Sequence, residues 1–307
     1  MARRRQTRKS YWFLKTVILL CISFGIWYLS QHPDILRRKK DAPPPPEPEV
    51  VQTIPEPEVI RPGTKLQVSY TIRCPQFDNL SYGVPGAADT IVEREGYALG
   101  YIERHEQPAW VQYVMTAEEV SRRAAKRGDD FRPDPEIPTG SATPQDYIRS
   151  GYDRGHLAPA ADMSFSAKTM SESFYMSNMS PQEPEFNRGI WKLLETWVRY
   201  TAVTEKDIYI VTGPILPKIK TPETITIGPS KVTVPEAYYK VVWDRTEPMK
   251  MIGFILPNKG SSEPLQSFVV SVDEVEQKTG LDFFSMLPKE QQEALESNIT
   301  IDAWKWQ

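Results

Sequence analysis

Apolar and polar positions divide the chain into three regimes. From Tyr11 to Ser30 it is apolar apart from Lys15 and a few polar positions, and a helix of that length covers about 30 Å, the thickness of a bilayer's hydrocarbon core. Arg3, Arg4, Arg5, Arg8 and Lys9 precede the run, and no small-x-small cleavage site follows it. The pattern predicts a transmembrane signal anchor over residues 11–30 behind a basic tail over residues 1–10. Residues 31–62 begin with Arg37, Arg38, Lys39 and Lys40 and continue as DAPPPPEPEVVQTIPEPEVIRP. A stretch so rich in Pro and Glu builds no core and serves as an extended spacer.

Residues 63–307 carry globular patterning. Segments rich in Val, Ile, Tyr and Phe, bounded by Gly, Pro or Asn, predict strands at Tyr97–Glu103, Trp110–Met115, Asp207–Thr212, Tyr238–Trp243, Met249–Leu256 and Gln266–Val272. Ile190, Leu193, Leu194, Trp197 and Val198 recur at helical spacing and predict a helix starting at Asn187. Two more helices are expected at Val272–Thr279 and Pro288–Ser297. The fold class is α+β, in one domain preceded by anchor and linker.

Charge sharpens this picture. The formal net charge of −3 conceals ten Lys/Arg and one Asp in residues 1–40, against 27 Lys/Arg and 34 Asp/Glu in residues 61–307. A body that is net −7 repels polyanions, so a nucleic acid needs a local basic patch or a bound cation. The two cysteines, Cys21 in the apolar run and Cys74 in the body, supply neither a thiolate metal cluster nor the ordinary disulfide framework.

Only three histidines are available as an imidazole base. His32 lies at the membrane edge and His105 follows a predicted strand in a charged turn. His156 closes Asp153-Arg154-Gly155-His156, which puts a carboxylate, a guanidinium and an imidazole within four residues. Phosphodiester cleavage needs a base for water, a cation near the phosphate oxygens and a group that fixes the imidazole, and one turn could present all three. The glycine between them permits unusual backbone angles. Residue types alone are equally compatible with an Asp153–Arg154 ion pair and a structural histidine.

Further landmarks are Phe131-Arg132-Pro133-Asp134, Ser177-Asn178-Met179-Ser180-Pro181-Gln182, Phe186-Asn187-Arg188 and Val211-Thr212-Gly213-Pro214. In this order, around Asp153-Arg154-Gly155-His156, they resemble the DNA/RNA non-specific endonucleases of the ββα-metal (His-Me finger) type, over roughly residues 65–290. The resemblance implies a ββα-metal core with a central antiparallel sheet flanked by helices. It implies His156 as general base, Asn187 as ligand of Mg²⁺ (with Mn²⁺ as a substitute) and Glu195 as a holder of metal-bound water. Arg154 and Arg127 match its phosphate-contacting arginines, and Asn178 an active-site asparagine. Asp153 would orient the turn. DNA and RNA are the implied substrates and 5′-phosphate ends the implied products.

Each assignment has a plainer counterpart. Asn187 also fits a helix N-cap, Glu195 a solvated helix face, and Arg127 a basic cluster with Arg122, Arg123 and Lys126. Rival readings are an inactive membrane-tethered nucleic-acid-binding module and a metallohydrolase of another phosphoester. A single-pass anchor would place the catalytic domain on the periplasmic or extracellular side, with the mitochondrial inner membrane as the less favoured alternative. A homodimer and an inhibitor protein are both left open.

Overall fold

The structure is a computed structural model that describes residues 78–299 and 301–306. The predicted anchor, the spacer and both cysteines lie outside the described residues. Among the described residues no helix is long and apolar enough to cross a membrane.

Seven antiparallel strands form the central sheet, in the order β1 (Thr90–Glu93), β2 (Ala98–Ile102), β3 (Gln107–Thr116), β6 (Asp207–Ile215), β9 (Ala237–Asp244), β10 (Lys250–Pro257) and β11 (Val269–Val270). A second sheet pairs β4 (Asp153–His156) with β5 (Met179–Gln182), and a third pairs β7 (Thr226–Ile227) with β8 (Val232–Thr233). The helices are α1 (Ala117–Ser121), α2 (Ala167–Glu172), α3 (Lys192–Glu205), α4 (Val272–Thr279) and α5 (Lys289–Glu296). The expected α+β class with a central antiparallel sheet holds.

Because successive strand residues point to opposite faces, the central sheet separates two cores. On one face, here the front, Val111, Tyr113, Met115, Tyr238 and Val242 pack against Trp191, Leu194, Trp197 and Val198 of the α3 segment. On the back, Trp110, Tyr209, Tyr239, Val241 and Trp243 pack against Val272 and Val275 of α4 and against Phe283 and Phe284. Trp191 is fully buried, and truncating such a side chain to Ala costs about 3–5 kcal/mol.

Two expected elements differ. Residues Gln266–Val272 are mostly not strand: a 3₁₀ turn covers Leu265–Phe268, only Val269–Val270 pairs with β10, and Ser271 caps α4 by accepting from the Glu274 amide. The helix expected from Asn187 begins instead as a π-type turn, Asn187–Trp191, with Gly189 at φ −104°, ψ −110°, and becomes α-helical only at Lys192.

Candidate active site

Asp153-Arg154-Gly155-His156 is strand β4, paired antiparallel with β5 so that His156 faces Met179 and Gly155 faces Ser180. The chain then leads through Pro184–Phe186 and the π turn into α3. Two strands and a helix thus bring one motif residue from β4 beside another from the π turn. Gly155 is needed here for space and not for unusual angles: it is absent from the left-handed positions, but a Cβ would lie 2.2 Å from the Gln182 side chain. The glycine with the left-handed backbone is Gly151, φ +86°, in the turn before β4.

The imidazole of His156 is 7% exposed, edge-on to Phe174 at 5.0 Å and tilted against Phe131 at 5.6 Å. Its Nε2 is buried without a hydrogen-bond partner among the described residues. Burial first, then the nearby Arg127 and Arg154 charges, push its pKa down to about 3. Each acts against the protonated ring, so the imidazole is neutral at physiological pH.

The same aromatic rings carry the cations. The Arg154 guanidinium lies 4.0 Å from the Phe131 ring centroid, and that of the exposed Arg127 lies 5.4 Å from the Phe174 centroid. Neither arginine joins an ion pair among the described residues. A guanidinium held by a π face keeps its N–H donors available for an anion. Arg127, Phe131, Arg154 and Asn187 line one open cleft of about 380 Å³, together with Asp153 and Ile148.

Asp153 makes a different connection from the one its sequence neighbours suggest. Its Oδ2 accepts from Asn187 Nδ2 at 2.9 Å and from Arg188 Nε at 2.8 Å, and its Oδ1 accepts from Arg188 Nη2 at 2.6 Å. The plainer alternative, an Asp153–Arg154 pair, is therefore replaced by a tie between β4 and the π turn. Bonding to Arg188 and Asn187 outweighs partial burial and keeps the Asp153 carboxyl below its usual range. Asn187 is not an N-cap: it has helical φ −58°, ψ −45°, and the cap of that turn is Glu183, which accepts from the Phe186 amide. With Nδ2 committed to Asp153, the Asn187 carbonyl oxygen is a neutral hard donor at the cleft, which suits a hard divalent cation that retains water.

Glu195 lies half-buried on α3. Burial and the nearby Asp162 raise its pKa, while Lys240, Arg199 and Arg127 oppose the rise. Asp162 accepts from Arg199 Nη1 at 2.8 Å and from the Tyr113 hydroxyl at 2.9 Å. Lys240 is 1% exposed on β9, with Nζ 4.8 Å from the Trp191 ring centroid. Glu195 thus belongs to a charge network and not to a solvated face.

Asn178 requires a correction. It is fully buried; its Nδ2 donates to Ala158 O and Ser173 O, and its Oδ1 accepts from the Ala158 amide. With these groups spent on backbone it braces the segment after His156 and does not reach substrate. Asp134 is similarly internal, accepting from Arg94 Nη2 at 2.6 Å and from the Ser177 hydroxyl. His105 is a core histidine, 1% exposed and bonded through Nδ1 to Thr233 Oγ1. Arg188 appeared in sequence only as the last residue of a landmark, and Arg199, Asp162 and Lys240 were not singled out. Arg199 is one helical turn from Glu195 and could have been; nothing local marks the others.

Residues 75–290 match the family model described as DNA/RNA non-specific endonuclease. "Nuclease EXOG, mitochondrial" of Mus musculus is 36% identical over 222 residues, 68% of this chain and 60% of that protein, so the match spans less than two thirds of this relative. "Mitochondrial nuclease" of Saccharomyces cerevisiae is 33% identical over 267 residues, 80% of each. A chain from the crystal structure of the EndoG/EndoGI complex, reported for the mechanism of EndoG inhibition, superposes with a TM-score of 0.64 at 35% identity, over 70% of this chain and 93% of that one. The mitochondrial designation of these relatives overturns the expected single-pass anchoring with a periplasmic or extracellular domain. On the family match, which spans more than two thirds of its length, this chain belongs to the DNA/RNA non-specific endonucleases.

Proposed function

We propose that the protein is a metal-dependent endonuclease that hydrolyses phosphodiester bonds of DNA and RNA with little sequence or sugar preference, leaving 5′-phosphate ends. The observation that carries this reading is a neutral, buried imidazole beside Arg127 and Arg154, which join no ion pair among the described residues and line one cleft with Asn187.

In this reading His156 takes a proton from the attacking water, since its depressed pKa leaves the ring unprotonated. Arg154 and Arg127 receive the phosphate oxygens as charge builds on them. Asn187 would hold Mg²⁺, or Mn²⁺ in its place, through its side-chain oxygen, with Glu195 acting through water. When bound, the cation supplies Lewis-acid stabilisation of the phosphoryl and leaving oxygens. Asp153 orients Asn187 through the Nδ2 bond, a role moved from the imidazole to the metal side. Chemistry at phosphate and not at a base edge accounts for weak sequence preference. The domain assignment of residues 63–307 and a mitochondrial setting belong to the same proposal.

The test incubates the full chain with supercoiled plasmid and with single-stranded RNA, in Mg²⁺ or EDTA, beside His156→Ala. Degradation of both polymers only with metal, and only by the unsubstituted chain, is expected. Tight binding without cleavage by a folded protein overturns the reading.

A further inference from the structure

On the back of the central sheet, α4 and α5 bring Asp273, Glu276 and Glu296 together, with one carboxylate oxygen from each lying within 4.8 Å of the other two. α4 covers β9 and β10, and the catalytic hairpin and α3 lie across the sheet on the front. The cluster is therefore separate from the cleft.

Clustering alone would mean little, because exposed acidic groups gather without ligands. Glu296 adds a different observation. It is 4% exposed, and its Oε1 is fully buried without a hydrogen-bond partner among the described residues. It is also the last residue of α5, where unpaired carbonyls make the helix end partly negative and where that turn has no basic residue. A carboxylate placed there loses its hydration and gains repulsion, which the fold must offset.

No cation among the described residues does so. None of Asp273, Glu276 and Glu296 joins an ion pair among the described residues, and Asp282 adds a fourth acidic group nearby. Glu276 is fixed in place because its Oε1 accepts from the Phe283 amide at 2.6 Å. The oxygens are thus preorganised on two helices against the apolar floor of Val272, Val275, Phe283 and Phe284.

We infer that Asp273, Glu276 and Glu296 form a binding site for one calcium ion, remote from the catalytic cleft. An all-oxygen set excludes the nitrogen and sulfur ligands that favour zinc. Three carboxylate oxygens within 4.8 Å of one another suit Ca²⁺, which takes several oxygen ligands in flexible geometry, better than Mg²⁺, which demands near-ideal octahedral geometry. The bound ion would clamp α4 to α5 at the C-terminal end of the domain.

The experiment uses the full chain stripped with EDTA, followed by melting and titration calorimetry with CaCl₂. At free Ca²⁺ near 100 Kd, Tm should rise by about 5 °C or more. Glu296→Gln should raise Tm in EDTA, because it removes a buried carboxyl that no cation among the described residues offsets, and should abolish the Ca²⁺ response. That combination distinguishes a cation site from a structural contact, whose loss lowers Tm. Glu276→Gln should weaken the calorimetric Ca²⁺ affinity at least 10-fold, and Asn187→Ala should leave the back-face binding intact. Absence of a Ca²⁺ shift in the unsubstituted chain overturns the site. So does a full shift in Glu296→Gln, or loss of the shift in Asn187→Ala, which would assign the ion to the cleft.

Discussion

The two faces of the central sheet treat charge in opposite ways. On the front, two carboxylates are ion-paired and hydrogen-bonded: Asp153 to Arg188 and Asn187, Asp162 to Arg199 and Tyr113. Arg127 and Arg154 rest on phenylalanine rings and so remain available to an anion. On the back, Asp273, Glu276 and Glu296 converge without an ion-pair partner among the described residues. A body with 27 basic and 34 acidic residues over 61–307 thus still presents two arginines without an ion-pair partner among the described residues at the cleft, Arg127 and Arg154. Net charge averages over a segregation that only the fold reveals.

Substitutions on the front should have the largest effects. His156→Ala should lower turnover about 10²–10⁴-fold, read as initial rates of plasmid relaxation, while the protein still melts cooperatively; a rate within a few-fold of the original would remove His156 from the chemistry. Next in size, Asp153→Asn should raise the Mg²⁺ concentration for half-maximal activity about 10–100-fold, since it loosens Asn187. Calorimetric Mg²⁺ affinity should weaken in parallel, and an unchanged metal dependence would show that the Asp153–Asn187 bond is only structural.

Smaller still is the effect of Arg154→Ala, which should flatten the dependence of log KM on log salt by about 0.7–0.9, the slope for one lost phosphate contact. Kinetics at several NaCl concentrations test this, and an unaltered slope would deny Arg154 a phosphate.

The pH dependence of stability gives the finest comparison. His156 has a folded pKa of about 3 against an unfolded value of 6.5, so the unfolded chain takes up the proton first. Its contribution is complete above about 6.5 and is lost as pH falls towards about 3, at roughly 1.4 kcal/mol per unit at most. Glu276 and Glu296 are raised, so their contribution is complete below about 4.5 and is lost as pH rises through about 7 and about 8. In metal-free urea titrations the advantage of Glu296→Gln should therefore grow between pH 5 and pH 9. A constant difference would mean that Glu296 is not held protonated.

The parts of the fold that were legible in sequence were those whose side chains declare their burial. β3, β6, β9 and β10 are dense in Val, Ile, Tyr and Trp, and each appears within a few residues of its expected place. β4 and β5 were invisible to hydrophobic patterning because Asp-Arg-Gly-His and Met-Ser-Pro-Gln do not alternate. Their pairing is imposed by packing, with Gly155 leaving room for Gln182. The motifs pointed to His156 and Asn187, but the helix expected from Asn187 did not reveal the π turn that precedes Lys192. Asn178 shows the limit of transferring roles by position, since a polar residue in a motif can be wholly spent on backbone.

The contact between Gly155 and Gln182 also makes a forecast about mutational tolerance. If residues 153–156 were randomised together and survivors sorted by nuclease activity, position 155 should return almost only glycine, since any Cβ meets the opposite side chain 2.2 Å away. Library members carrying alanine there would be rescued by shortening residue 182. The two positions would then drift as a linked pair in the sequencing counts, although neither touches the reacting phosphate.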